Sequence, residues 1–176
     1  MCLAAATAEG GDGGAEVCTL SSMTDDTSIT VQRSIDVAPA QVFDLLTNPD
    51  RHAEFDGSGF VRSADHPQRI SGVGDSFRMN MAGDHMGGEY QTDNHVTGFQ
   101  PNQLLAWQTA PAGQEPPGWQ WVYELTPTGP DQTDVSLTYD WSAVTDKQLL
   151  KTISFPLVSK DELEGSLAQL AAAVSG

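Results

Sequence analysis

Polar and apolar positions alternate most cleanly between Trp119 and Trp141. With a period of two, Trp119, Trp121, Tyr123 and Leu125 share one face. Val135, Leu137, Tyr139 and Trp141 continue that face beyond a link containing Pro127, Gly129 and Pro130. The other face carries Gln120, Glu124, Ser136, Thr138 and Asp140, with Val122 as its apolar exception. Two such runs around a turn-rich link predict an antiparallel hairpin with one buried and one wet face.

The pattern extends in both directions. Ile29, Val31, Ile35 and Val37 alternate with Thr30, Gln32, Ser34 and Asp36 in a first strand over 28–37. Pro39 suits a first helical turn, and Val42, Phe43, Leu45 and Leu46 make the following helix amphipathic until Asn48-Pro49 stops it. A second short helix over 50–55 runs into Asp56-Gly57-Ser58-Gly59. Strands follow over 59–64, over 74–82 (Phe77, Met79 and Met81 on one face), over 89–100 (Tyr90, Thr92, Asn94 and Val96 together) and over 104–109 (Leu105, Trp107 and Thr109 together). After the hairpin, 143–153 reads as a short helix before Phe155-Pro156. The final helix, capped by Ser159 or Asp161, carries Leu163, Leu167, Leu170, Ala171 and Val174 at helical spacing and an acidic first turn.

This order predicts an α+β architecture: a curved antiparallel sheet of about six or seven strands wrapped around a long C-terminal helix. The two short helices after the first strand close one end. Residues 1–27, rich in Gly, Ala, Ser and acid (EGGDGGAE), read as a disordered tail, and 28–176 as one ligand-binding domain. Space left between sheet and helix would be the functional cavity.

Several stretches carry a resemblance: VQRSIDVAPAQVFDLLTNPDRHAEF, GVGDSFRM, NHVTGFQPNQLLAW, WVYELTPTGPDQTDVSLTYDWS and the leucine-rich terminal helix. In these, residues 28–175 resemble the START-like (SRPBCC, helix-grip) superfamily, and within it the polyketide cyclase/dehydrase-like branch. The resemblance implies the helix-grip fold. The superfamily includes lipid carriers, hormone-binding proteins, cyclases, hydroxylase subunits and chaperone-associated domains, so no catalytic set comes with it. Its ring-hydroxylase branch needs two His and a carboxylate around iron. His52, His66, His85 and His95 are scattered, and no metal site or cofactor is expected.

Charge narrows the partners. The 176 residues hold 24 acidic and 8 basic side chains, a net charge of -16, which argues against nucleic acid and anionic membrane surfaces. The arginines are spaced singly, with no basic patch. Only Cys2 and Cys18 occur, both ahead of the patterned region, so no disulfide framework is expected there. No stretch suits a membrane span or a secretory leader, and the expected location is cytoplasmic. A homodimer stays open.

Two kinds of candidate residue emerge. His52, with Glu54, Asp56 and Ser58 nearby, offers a general base next to a carboxylate, the chemistry of proton abstraction beside a ketone. Against this, Asp56 and Ser58 suit local turn hydrogen bonds, and His52 a surface helix position. The expected ligand contacts are Phe55, Ser58, Phe77, Met79 and Met81, then Tyr90, Thr92 and Asn94, then Trp107, Trp121, Tyr123 and Tyr139, with Leu163 and Leu167 from the helix. Asn94 and Thr92 stand out because a buried polar group needs a partner. His85, in a Gly-bounded loop, is expected to be solvated. The preferred reading is a binder of a small, mostly apolar molecule of polyketide, lipid or isoprenoid kind. The alternatives are a cyclase or dehydratase with His52 as base and Asp56 beside it, and a chaperone-activator type of interaction module. The last calls for an apolar patch on the outer sheet face.

Overall fold

A computed structural model describes residues 27–176. The expected tail over 1–27, except Thr27, lies outside the described residues, and both cysteines with it. Seven strands form one antiparallel sheet in the order β1-β7-β6-β5-β4-β3-β2. The strands are β1 (Ser28–Ile35), β2 (Val61–Asp65), β3 (Ser76–Gly83), β4 (Gly88–Gln100), β5 (Leu104–Pro111), β6 (Gln120–Gly129) and β7 (Gln132–Asp140). From β2 onward the sheet is a meander, and β1 returns to pair with β7. The helices are α1 (Pro39–Leu46), α2 (Lys147–Thr152) and α3 (Lys160–Val174), with a 3₁₀ helix at Pro49–Glu54. α1 and the 3₁₀ helix carry the chain from one sheet edge to the other. This is the α+β helix-grip arrangement.

The hairpin forms as expected, and its register sets Trp121 opposite Tyr139, Tyr123 opposite Leu137 and Leu125 opposite Val135. Its strands run further than their alternation suggests, and β6 continues through Pro127 to Gly129. Pro127 is tolerated because β5 leaves β6 at Glu124, so its missing N–H interrupts no ladder on that side. A bulge between Val96 and Gly98 bends β4. A Cβ on Gly98 would come within 2.6 Å of the Leu104 side-chain tip and 3.1 Å of Ala106 Cβ, so a larger residue at that bend has to displace its neighbours.

Local signals explain the helix ends. Pro39 opens α1, and the Thr47 hydroxyl closes it by donating to the Phe43 carbonyl at 2.9 Å. The second short helix is 3₁₀ rather than α, over Pro49–Glu54. The helix expected over 143–153 shortens to α2, because Asp146 is its cap and accepts from the Gln148 and Leu149 amides. Ser159 caps α3 in a capping box with Glu162.

α3 packs on β1, β7, α1 and the 3₁₀ helix. It therefore covers one side of the concave face and leaves the β3–β6 side to other elements. Leu163, Leu167 and Leu170 are sealed there with Val135, Leu137 and Tyr139. Gly57 sets how close the turn after the 3₁₀ helix lies to α3. A Cβ at this position would sit 2.2 Å from the Glu162 carbonyl, and the Gly57 amide donates to Ser166 Oγ at 2.8 Å.

Candidate functional site

The uncovered half of the concave face bounds a cavity of about 810 Å³, partly open to solvent. Its floor comes mainly from inward positions of four strands, and Val61 of β2 and Leu137 of β7 also border it. Phe77, Met79 and Met81 stand on β3, and Tyr90, Thr92 and Asn94 on β4. Trp107 and Thr109 follow on β5, and Trp121 and Tyr123 on β6. These are the positions that strand alternation selects. Phe55, Asp56 and Ser58 add a wall from the turn below the 3₁₀ helix, and Leu163 one from α3.

Two expected contacts are corrections. Tyr139 and Leu167 do not line the cavity; each is 1 % exposed and belongs to the core. Tyr139 shares a face with Trp121 and stacks on it at 4.2 Å, but its ring also packs on Trp141 at 5.1 Å and its phenol meets the Leu157 backbone, which seals it in. Leu167 sits one helical turn beyond Leu163, past the edge of the open space.

The roof is what the sequence reading missed. Leu149 and Ile153 of the α2 region, with Leu157 and Val158 beyond it, close the space from above. Their signal was an apolar pair four residues apart, read only as a helix. Trp141 stacks on Phe155 at 6.0 Å and Trp119 lies 5.9 Å from it, which ties this roof to the hairpin. At the mouth stand His85 and Met86, with the Tyr90 phenol 3.2 Å from His85 Nε2. His85 is exposed, as expected of it.

His52 is buried, not a surface residue of the helix, with 5 % of its surface exposed. Its ring lies 5.5 Å from Trp107 in a stack and 5.2 Å from Phe77 edge-on. Nε2 hydrogen-bonds the Leu46 carbonyl at 2.7 Å. A carbonyl only accepts, so Nε2 carries the proton and Nδ1 holds the lone pair. Burial lowers the pKa to about 4, with the Leu46 hydrogen bond and the charge of Asp56 opposing it. The ring is neutral at pH 7.

The carboxylates near His52 point to other tasks. Asp56 Oδ1 accepts from the Ser58 hydroxyl at 2.6 Å and the Ser58 amide at 3.1 Å, and Oδ2 accepts from the Val61 amide at 2.8 Å. Glu54 faces outward in a two-point pair with Arg51, at 2.9 and 2.6 Å. Neither makes a hydrogen bond to His52.

On the floor a polar chain crosses three strands. The Trp121 indole N–H donates to Thr109 Oγ1 at 3.2 Å, and Thr109 donates to Asn94 Oδ1 at 2.7 Å. Asn94 Nδ2 faces the Phe77 carbonyl at 3.3 Å and Thr92 Oγ1 at 3.4 Å. The partner expected of a buried Asn94 is thus the protein itself. Tyr123 differs: it is 5 % exposed, and no described residue hydrogen-bonds its phenol. Among the described residues, no group of three or more His, Cys, Asp or Glu side chains is placed to hold a metal ion. No helix among them is long and apolar enough to cross a membrane.

Comparison with known proteins agrees with this geometry at the level of fold. Protein CV1439 from Chromobacterium violaceum is 18 % identical with a TM-score of 0.60, over 86 % of this chain and 99 % of that one. The solution structure of the Aha1 dimer from Colwellia psychrerythraea is 23 % identical with a TM-score of 0.50, over 84 % of this chain and 95 % of that one. Nearer in sequence is the uncharacterized protein Rv0088 of Mycobacterium tuberculosis, 34 % identical over 115 residues. That match takes in 64 % of this chain and 48 % of the relative, so the chain spans about half the length of the curated relative. A family profile covers 36–175, from the end of β1 to the end of α3, and so takes in every wall of the cavity. The chain belongs to the family described as Activator of Hsp90 ATPase homolog 1-like protein.

Proposed function

We propose that residues 28–176 form a binding domain whose cavity takes one small, mostly apolar molecule. The observation that carries this is the open space of about 810 Å³ beneath α2 and beside α3, walled by Trp, Tyr, Phe, Met and Leu side chains. Space of that size suits a drug-sized molecule, and an apolar wall with a few fixed polar groups is the usual form of such a site. A polyketide, an isoprenoid or another lipid-like molecule fits this description equally. Native mass spectrometry of the purified protein tests the reading. A co-purifying molecule released on denaturation is expected. Its absence, together with no thermal shift from an apolar compound panel, would remove the idea.

A second reading is a chaperone-activator-like interaction module, and the family description supports it more directly than any relative supports ligand binding. The surface speaks less clearly for it. The outer sheet face is polar, with the Arg78–Asp93 pair, the Gln91–Asn80–Ser63 chain and the Thr30–Thr138 contact. The exposed large hydrophobics among the described residues, Val73, Met86 and Leu150, lie off that face. A partner would therefore meet charge and polar side chains there. The ATPase rate of a bacterial Hsp90, measured with and without this chain, decides: an unchanged rate dismisses the reading. The Colwellia relative is described as a dimer, and light scattering would show whether this chain is one too.

The cyclase reading draws little support. A base at His52 would work with a pKa of about 4 and without an orienting carboxylate. Full turnover of any cyclised substrate by His52→Ala would end it.

A further inference from the structure

The cavity is apolar, but its polar groups are not interchangeable. Their donor and acceptor roles can be read one by one, and they lean in one direction.

The floor chain has a fixed polarity. An indole N–H only donates, so Thr109 Oγ1 accepts from Trp121 and gives its own hydrogen to Asn94 Oδ1. The Phe77 carbonyl only accepts, which forces the Asn94 amide nitrogen to that side and toward Thr92 Oγ1. Thr92 therefore accepts inside the chain. Its hydroxyl hydrogen is the one left over, on a residue that lines the cavity.

Tyr123 supplies a second hydrogen. The residue is 5 % exposed and lines the cavity, yet no described residue accepts from its phenol. Nor is the oxygen sealed off. The one fully enclosed, unpartnered side-chain nitrogen or oxygen among the described residues is His95 Nε2. What remains of the phenol surface thus opens on the cavity. Burial raises the Tyr123 pKa above its ordinary value, so the phenol keeps its proton and stays a donor. An unmet donor at such depth costs stability, and a ligand acceptor would recover it.

Charge supplies the third observation. No Lys or Arg stands on the cavity wall, whereas Asp56, Glu115 and Asp146 do. An anionic head group would meet no counter-charge there, in a chain of net charge -16.

We propose that the cavity selects an uncharged apolar molecule bearing an oxygen acceptor of the ketone, ester or quinone kind, taken by the Tyr123 phenol, and rejects carboxylates and phosphates of similar size. The proposal rests on the ligand-binding reading and narrows it, setting fatty acids and phospholipids aside. Tyr123 pairs opposite Leu105 and Thr92 opposite Pro111, positions at opposite ends of β5. The two donors thus mark two ends of the site, and a long ligand with oxygen at both ends would meet both.

Three probes of one shape make the test: 2-acetylnaphthalene, 2-ethylnaphthalene and 2-naphthoate, titrated by calorimetry against the full chain. The ketone is expected to bind most tightly, the hydrocarbon roughly fivefold more weakly, and the carboxylate weakest. Tyr123→Phe is expected to erase the preference for ketone over hydrocarbon, while Thr92→Val has a smaller effect on it. The wild-type complex gives a readout that does not depend on the variants folding: the carbonyl stretch of the bound ketone should lie below its frequency in hexane. Equal binding of ketone and hydrocarbon, tightest binding of the naphthoate, or an unshifted carbonyl stretch would overturn the inference and leave the cavity an apolar site. Failure of all three probes to bind would overturn the ligand-binding reading itself.

Discussion

His52 enters the fold with its Nε2 proton committed to the Leu46 carbonyl and its ring packed between Trp107, Phe77 and Phe55. The consequence is a pH dependence with a definite sign. The folded pKa of about 4 lies below the ordinary 6.5, so the unfolded chain takes up this proton first as pH falls. The contribution is fully present above pH 6.5 and is lost progressively toward pH 4. Denaturant midpoints across this window should fall by an amount equivalent to about 3 kcal/mol in the wild type. His52→Phe should flatten the curve, and an unchanged slope would show that other groups govern it. The same scale separates core from cavity. Leu167→Ala empties a sealed site and should cost about 2–5 kcal/mol. Met81 borders space that is already open, so Met81→Ala should cost under about 1.5 kcal/mol while weakening any ligand. Equal costs, measured by urea unfolding, would mean that the cavity closes in solution.

At the scale of elements, the strands were legible because side chains alternate across a sheet, and each inward position from Phe77 to Tyr123 follows from that period alone. Coverage was not legible. Trp121 and Tyr139 lie opposite one another on one face, yet one lines the cavity and the other does not. The difference is that Trp141 and the Leu157 backbone close over Tyr139, a tertiary fact with no local signature. The roof was hidden for the same reason, since an apolar pair on a short helix says nothing about what it faces. The surface alternative for His52 fails because a 3₁₀ helix changes which residues point inward. Gly57 is the element-scale hinge of this geometry. With Glu162 O at 2.2 Å from its absent Cβ, Gly57→Ala has to push the 56–58 turn away from α3. The expected result is a loss of about 1–3 kcal/mol and faster amide exchange at Ser58 and Val61. An unperturbed melting curve and exchange pattern would show that the turn gives way freely.

For the whole molecule, charge and architecture pull in different directions. The helix-grip fold spends much of its apolar surface on lining a space rather than filling one, which leaves less packing per residue to oppose unfolding. The chain also carries a net charge of -16, and like charges repel most in the compact state. Among the described residues few ion pairs offset this, and those with Arg51, Arg69 and Arg78 have partly exposed partners. Screening should therefore stabilise the protein more than it weakens these pairs. The melting temperature is expected to rise steadily between low salt and about 1 M NaCl, where charges are screened within about 3 Å. Sodium sulfate raises stability by strengthening apolar burial as well, so the comparison that isolates charge is NaCl against an equal osmolality of sucrose. A rise in NaCl well beyond that in sucrose identifies self-repulsion as the limit on stability. A flat NaCl response would mean that the three arginine pairs and the local carboxylate hydrogen bonds, such as those of Asp56 and Asp75, already balance the excess.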